Sequence, residues 1–250
     1  MRQLLPDAGD VDPLTSYLAA SRPAPADRPW IVVGMIASLD GGTTSEGRPG
    51  ALGGPADHAV LRAVRGIADA IIVGAGTVVA EDYGALRHRD DVRSARRAAG
   101  MSGEQPRLVV VSGRLHLDPS SRAFTEAPVR PLVCTTSGAD PDRIAAFDDV
   151  ADIFVAGDDH VDLPAVLRRL RDDGAEVGVS EGGPTLNGAL VDVDVVDEWC
   201  CTVSPVITGG ASRRIVHGAG DVLVDHELQS LLTEDGMLFG RWIRRTAATG

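Results

Sequence analysis

The sequence predicts an α/β fold: a mostly parallel central sheet, covered by helices on both faces and finished by antiparallel strands at its C-terminal edge. Three observations predict it. Through the middle of the chain, short apolar runs alternate with segments of helical periodicity. Several of the apolar runs are unbroken Val, Ile and Leu, the pattern of strands buried on both faces. After Glu198 the helical segments stop and only strand-like runs follow.

Residues 1–29 contain Pro6, Pro13, Pro23, Pro25 and Pro29 and read as an irregular arm, with one or two helical turns over 14–20. Strands are expected at 30–37, 70–73, 108–111, 132–135, 153–155, 177–179 and 198–203. Helices are expected at 56–67, 140–147, 163–172 and 185–191, where apolar residues recur at helical spacing. The glycine-rich stretch 43–54 and the arginine-rich stretch 87–105 read as loops or exposed helix. The antiparallel edge is assigned to 199–204, 222–228 and 237–244. No repeat or linker interrupts the chain after residue 29, so one domain is expected over 30–246.

The 250 residues suffice to bury a core without disulfide or metal staples. A net charge of −12 argues against general nucleic-acid binding and against an anionic membrane surface. Cys134, Cys200 and Cys201 are odd in number and sit in apolar runs, as expected of core residues in a reducing compartment. Residues 1–12 lack the apolar segment of a signal peptide, and no run reaches the roughly 18 apolar residues of a membrane span. A cytoplasmic protein is therefore expected. The six histidines show no metal-ligand spacing, so no catalytic metal is expected.

Candidate chemistry gathers at strand ends. In Val73-Gly74-Ala75-Gly76-Thr77, Gly74 and Gly76 let the backbone approach a ligand, and Thr77 adds a hydroxyl; a phosphate would fit, and so would a plain tight turn. Glu181-Gly182-Gly183-Pro184-Thr185-Leu186 is sharper. Two glycines precede a proline suited to a first helical turn, whose free N–H groups face an incoming diphosphate. The bland alternative is a glycine turn before a helix. Ser112-Gly113-Arg114 follows the strand at 108–111. Ser112 and Arg114 suit a ribose 2′-phosphate, or Arg114 is an exposed turn residue.

Ser38-Leu39-Asp40-Gly41-Gly42 closes the first strand. Asp40 is a turn residue or a carboxylate orienting a ligand. Asp57 stands in the first turn of a helix, where the helix dipole alone would favour it. It is otherwise a pocket carboxylate that binds an amino-oxo heterocycle or relays a proton. Arg65 and Arg87 are solvated charges or partners of a substrate anion.

Taken together, Ser38-Leu39-Asp40-Gly41, the run from Arg65 through Ala68-Asp69-Ala70-Ile71-Ile72-Val73-Gly74-Ala75-Gly76-Thr77-Val78, and Glu181-Gly182-Gly183-Pro184-Thr185-Leu186 resemble the reductase domain of bacterial riboflavin-biosynthesis deaminase/reductase proteins. That domain belongs to the dihydrofolate reductase superfamily. The resemblance spans about 29–243. It implies a dihydrofolate-reductase-like three-layer sandwich, NADPH as hydride donor, a homodimer, and reduction of 5-amino-6-(5-phosphoribosylamino)uracil to its ribitylamino form. It further implies that Gly74, Gly76, Thr77, Gly182, Gly183, Thr185 and Leu186 hold the cofactor. By the same resemblance Asp40 and Asp82 stand near the reacting substrate, with Ser38 and Glu181 beside it, and Arg65 and Arg87 meet its phosphate.

The sequence departs from the family in three places. Deaminase motifs are absent, so a stand-alone reductase is expected. The position four residues before Ser38 is Gly34, where the family often has lysine. The family's hydroxyl-bearing Trp-Ile-Thr-Ser-type stretch is here Leu52-Gly53-Gly54-Pro55. Pro55-Ala56-Asp57 before a helix resembles instead the acidic substrate-binding segment of dihydrofolate reductases, which makes dihydrofolate or pterin reduction the alternative. A non-catalytic NADPH-binding regulator is the third reading; Asp40, Asp57 and Asp82 argue against it.

Overall fold

In the computed structural model, residues 1–44 and 52–245 are described. They form one eleven-stranded sheet with helices on both faces. Most of the glycine-rich stretch, residues 45–51, and the expected domain end at 246 lie outside the described residues.

The strands are β1 (Arg2–Leu5), β2 (Gly9–Asp10), β3 (Trp30–Ser38), β4 (Ala70–Gly74), β5 (Arg107–Val111), β6 (Leu132–Thr135), β7 (Asp152–Val155), β8 (Val177–Ser180), β9 (Glu198–Ser204), β10 (His226–Glu234) and β11 (Met237–Arg244). Their order across the sheet is β2-β1-β10-β11-β9-β3-β8-β4-β5-β6-β7. From β9 to β7 every pairing is parallel; from β9 outward through β11, β10, β1 and β2 every pairing is antiparallel. The expected parallel sheet and antiparallel edge are both present.

The unbroken apolar runs explain the layers. A strand's side chains alternate between faces. Val32, Ile71, Val73, Leu108 and Val110 therefore reach one core, and Ile31, Val33, Ile72 and Val109 reach the other. The first core is covered by α1 (Pro13–Leu18) and α2 (Pro55–Gly66), through Tyr17, Val60, Val64 and Ile67. The second is covered by α7 (Leu163–Asp172) and α8 (Pro184–Asp192), through Val166, Leu167, Leu170, Leu186 and Leu190. Fully burying one such side chain contributes about 1.5–3 kcal/mol, so these faces fix the strand register. Three shorter helices, α3 (Ala75–Ala80), α5 (Arg122–Thr125) and α6 (Pro141–Ala145), cap strand ends. The arginine-rich stretch contains α4 (Asp90–Ala98). Its Arg96 is not a surface charge: it is 1 % exposed and donates to Asp69, to the Gly66 carbonyl and to the Ser102 carbonyl.

The arm is more ordered than its prolines imply. β1 and β2 extend the sheet beyond β10, and two ion pairs tie the rest to the start of β9. Arg22 grips the fully buried Glu198 at 2.8 and 2.9 Å, and Arg28 grips Asp197 at 2.5 and 2.8 Å. Removing one partner of a buried pair such as Arg22–Glu198 costs about 3–5 kcal/mol, so this contact ties the arm to the sheet. The strand expected at 222–228 begins later, at His226. The apolar run Val222-Leu223-Val224 has no covering layer, and Leu223 is 96 % exposed.

Candidate functional site

β3, β8 and β4 are parallel neighbours, so their C-terminal ends share one edge of the sheet, where open α/β sheets bind ligands. Two glycine turns meet there. The Gly74 N–H, at the end of β4, donates to the Gly182 carbonyl at 2.7 Å. Gly182 has φ +78°, which favours glycine, and the Gly182–Gly183 peptide is cis. The Ser180 hydroxyl accepts from the Gly182 N–H at 3.2 Å and donates to Asn187 Oδ1 at 3.1 Å, holding the turn from below. A Cβ on Gly183 would lie 2.9 Å from Thr77 Oγ1. The absence of a side chain therefore keeps open the groove between Thr77 and the first turn of α8.

The groove continues into a cleft of about 370 Å³. Gly76, Thr77 and Gly183 line it, as do Asp57, on the first turn of α2, and Thr202, on β9. Burial pushes the Asp57 carboxyl above its ordinary pKa, against the opposing pull of the Thr202 hydroxyl and of His58. A carboxyl that holds its proton more tightly than usual, at the wall of a cleft, is suited to protonate a bound acceptor. Gly34 also lines the cleft and offers no polar group; a Cβ there would stand 3.2 Å from Val64 Cγ1.

Arg65 and Glu181 come together, but as partners. The Arg65 guanidinium meets the Glu181 carboxylate through two bonds, at 2.6 and 2.7 Å, and reaches the Tyr83 hydroxyl at 3.2 Å. The sequence contains no lysine. Among the described residues lining the cleft Arg65 is thus the single arginine, and its charge is already matched, with Asp57 and Glu81 adding further carboxylates.

Several expected residues stand apart from this cleft. Asp40, expected beside the substrate, is exposed and accepts from the Ser38 hydroxyl at 2.5 Å, the Gly209 N–H at 2.7 Å and the Thr208 N–H at 3.1 Å. These bonds, the Ser38 hydroxyl first, hold its carboxyl well below the usual range. Asp40 and Ser38 therefore latch one loop to another rather than line the cleft. Asp82 is exposed in a turn with φ +45°, and the buried neighbour that packs inward is Tyr83. Arg87 is exposed and donates to the Glu126 carbonyl at 2.7 Å. Ser112 is buried, with its hydroxyl accepting from the Leu115 N–H at 3.1 Å. Its neighbour Arg114 is exposed at the end of β5, one strand beyond Gly74. Thr185 is exposed on the first turn of α8, whereas Leu186 is packed into the core.

Sequence reasoning missed Thr43, Thr44, His58, Glu81, Cys200 and Thr202, which all line the cleft. One signal was available. On β9, Glu198, Cys200, Thr202 and Ser204 alternate as the buried positions, an unusually polar inward face for a strand beside the sheet centre. Among the described residues no His, Cys, Asp and Glu cluster could hold a metal ion, and no helix is long and apolar enough to cross a membrane.

The chain is similar to known proteins over most of its length. The model of the RibD C-terminal domain matches residues 29–236. The 2,5-diamino-6-ribosylamino-4(3H)-pyrimidinone 5′-phosphate reductase of Methanothermobacter thermautotrophicus is 32 % identical over 195 residues, covering 77 % of this chain and 86 % of that one. A pyrimidine reductase-like protein from Corynebacterium diphtheriae superposes with a TM-score of 0.83 at 25 % identity, covering 94 % of this chain and all of that one. The riboflavin biosynthesis reductase of Saccharomyces cerevisiae, at 17 % identity and a TM-score of 0.70, shares the fold over 93 % of this chain and 99 % of its own. The mixed sheet with helices on both faces is thus the dihydrofolate-reductase-like sandwich, and the chain belongs to the RibD C-terminal domain family.

Proposed function

We propose that this chain is an NADPH-dependent reductase that converts the ribosyl group of a ribosylaminopyrimidine 5′-phosphate to a ribityl group, in the cytoplasm and as a homodimer. The candidate substrates are 5-amino-6-(5-phosphoribosylamino)uracil and the 2,5-diamino compound named for the archaeal relative. The observation that carries the reading is the pair of glycine turns side by side, opening onto a cleft with a half-buried carboxyl, Asp57. Gly74, Gly76, Thr77, Gly182 and Gly183 offer a close backbone approach to a diphosphate, with Thr185 at the rim. Arg114, exposed after β5 on the neighbouring strand, is the proposed partner of the adenosine-side 2′-phosphate; Ser112, proposed with it from the sequence, is buried and bonded to the Leu115 N–H.

Bound NADPH supplies the hydride. The chain contributes placement and a proton. The cleft walls hold the acceptor against the cofactor groove, which converts a bimolecular encounter into an oriented one. The Asp57 carboxyl, whose pKa burial raises, is the cleft group suited to relay a proton to the reduced acceptor, with the Thr202 hydroxyl near it. For the homodimer, Leu223 and Val222 offer an uncovered apolar surface beside a second cavity of about 660 Å³, lined by Trp199 and Trp242.

A specific observation favours a second reading, reduction of dihydrofolate or another pterin. Among the described residues the cleft offers a substrate phosphate no arginine besides Arg65, which Glu181 already holds. A phosphate-free heterocycle held at Asp57 needs no such cation. NADPH oxidation measured side by side with the phosphoribosylaminouracil, its 2,5-diamino counterpart and dihydrofolate separates the readings. Turnover of either pyrimidine at tenfold or more the dihydrofolate rate is expected; the reverse ratio moves the protein to pterin chemistry. NADPH is expected to bind at least tenfold tighter than NADH, because Arg114 can pair with the 2′-phosphate. Equal affinities in parallel titrations remove Arg114 from the site.

A further inference from the structure

We propose that Arg213, which no sequence motif singles out, is the counter-charge for the cofactor diphosphate and is held over the cofactor groove by the latch that Asp40 closes. The inference rests on the cofactor reading above and adds a residue to it.

The segment carrying Arg213 is seated by bonds on two sides. Toward the first strand, the Asp40 carboxylate accepts from the N–H groups of Thr208 and Gly209, and Ser212 Oγ accepts from the N–H groups of Thr43 and Thr44 at 3.0 Å each. The Arg213 carbonyl itself accepts from the N–H and hydroxyl of Thr43 at 3.1 and 3.0 Å. Toward α8, the His217 N–H donates to the Pro184 carbonyl at 3.0 Å, and Asn187 Nδ2 donates to the Ile215 carbonyl at 2.9 Å. A Cβ on Gly188 would sit 2.2 Å from the His217 carbonyl, so this chain segment lies directly against the helix. The backbone of Arg213 is thus fixed beside the first turn of α8.

Its side chain is not consumed by that architecture. Arg213 is exposed, and among the described residues its guanidinium reaches one neutral group, the Thr185 hydroxyl at 3.3 Å, two positions beyond Gly183. A diphosphate lying over Gly183 and Thr77 carries negative charge that the described residues of the cleft do not balance. Arg65 is neutralised by Glu181, and Asp57, Glu81 and Glu181 are all acidic. A planar guanidinium at the rim supplies the missing charge and can bridge two phosphate oxygens. A dense latch around a cation that has no carboxylate partner among the described residues is what this role requires, since a positioned charge binds more strongly than a mobile one.

The test is dinucleotide affinity, read by calorimetric titration of the full chain with NADPH and with NADH. Arg213→Gln should weaken both by at least tenfold and by the same factor, because both carry the diphosphate, and Arg213→Lys should recover part of the loss. Thermal melting should stay unchanged, since the bonds that seat the segment come from its backbone and from Ser212. Unchanged affinities in the variant overturn the inference, and so does a loss confined to NADPH, which would place Arg213 at the 2′-phosphate. A wild-type chain that binds neither dinucleotide overturns the reductase reading and this inference together, whereas normal wild-type binding with an indifferent variant overturns the inference alone.

Discussion

Gly183→Val should abolish NADPH binding in a chain that still folds, with affinity falling at least 100-fold, about 2.8 kcal/mol. The reason is local. Gly183 has φ −70°, a conformation any residue adopts, so the backbone tolerates the change. The side chain does not fit the groove: its Cβ alone would stand 2.9 Å from Thr77 Oγ1, and the two methyls would fill the space between the glycine turns. Gly182→Val is a poorer test. At φ +78° a β-branched residue is strained, and its Cβ would meet Met35 Sδ at 3.1 Å and Asn187 Nδ2 at 3.4 Å. That variant should lose stability as well as cofactor, and the two losses would be hard to separate. Calorimetric titration of Gly183→Val beside a melting curve distinguishes them; normal NADPH affinity would remove the groove from the cofactor site.

Asp57→Asn should lower turnover by about 10²-fold or more, the typical worth of a positioned acid, while leaving NADPH affinity unchanged. It should also raise the melting temperature at pH 7. Burial raises the folded-state pKa of Asp57 above its unfolded value. A carboxyl shifted in that direction contributes its full stability below the unfolded value. It loses that contribution as pH rises through the folded value. At neutral pH the half-buried charge is therefore a cost, which the neutral amide avoids. The melting gain should fade as pH falls and vanish below the ordinary Asp value of 3.8. Lost activity with gained stability marks a functional carboxylate; lost activity with lost stability would mark Asp57 as a structural cap of α2.

The legible parts of the molecule were those written in local pattern. The double-sided Val/Ile/Leu runs of β4, β5, β6 and β8 gave the parallel sheet, because burial on both faces leaves no polar alternation. The glycine pairs at 74–76 and 182–183 marked the two turns, because few other residues permit that approach. β1 and β2 were hidden because they are short edge strands with mostly exposed side chains and so carry no periodic signal. β10 was displaced in the reading because the uncovered run 222–224 is more apolar than the true strand, whose inward Ser230 breaks the pattern.

The candidate site was harder to read for a related reason. Residue type shows what a side chain can do, not what it is already bonded to. Asp40 is an available carboxylate in the sequence, yet its partners Thr208 and Gly209 lie 168 and 169 residues away. Arg65 is an available cation until Glu181, 116 residues later, takes both sides of its fork. Arg213 was overlooked for the opposite reason: nothing local marks it, and its position follows only from the latch and the first turn of α8.

The most direct test of the account is a crystal structure of the chain with bound NADP⁺. The account predicts the diphosphate across the two glycine turns, over Thr77 and Gly183, with the nicotinamide in the cleft facing Asp57. A cofactor bound instead in the second cavity beside Trp199 and Trp242, leaving the glycine turns bare, would contradict it.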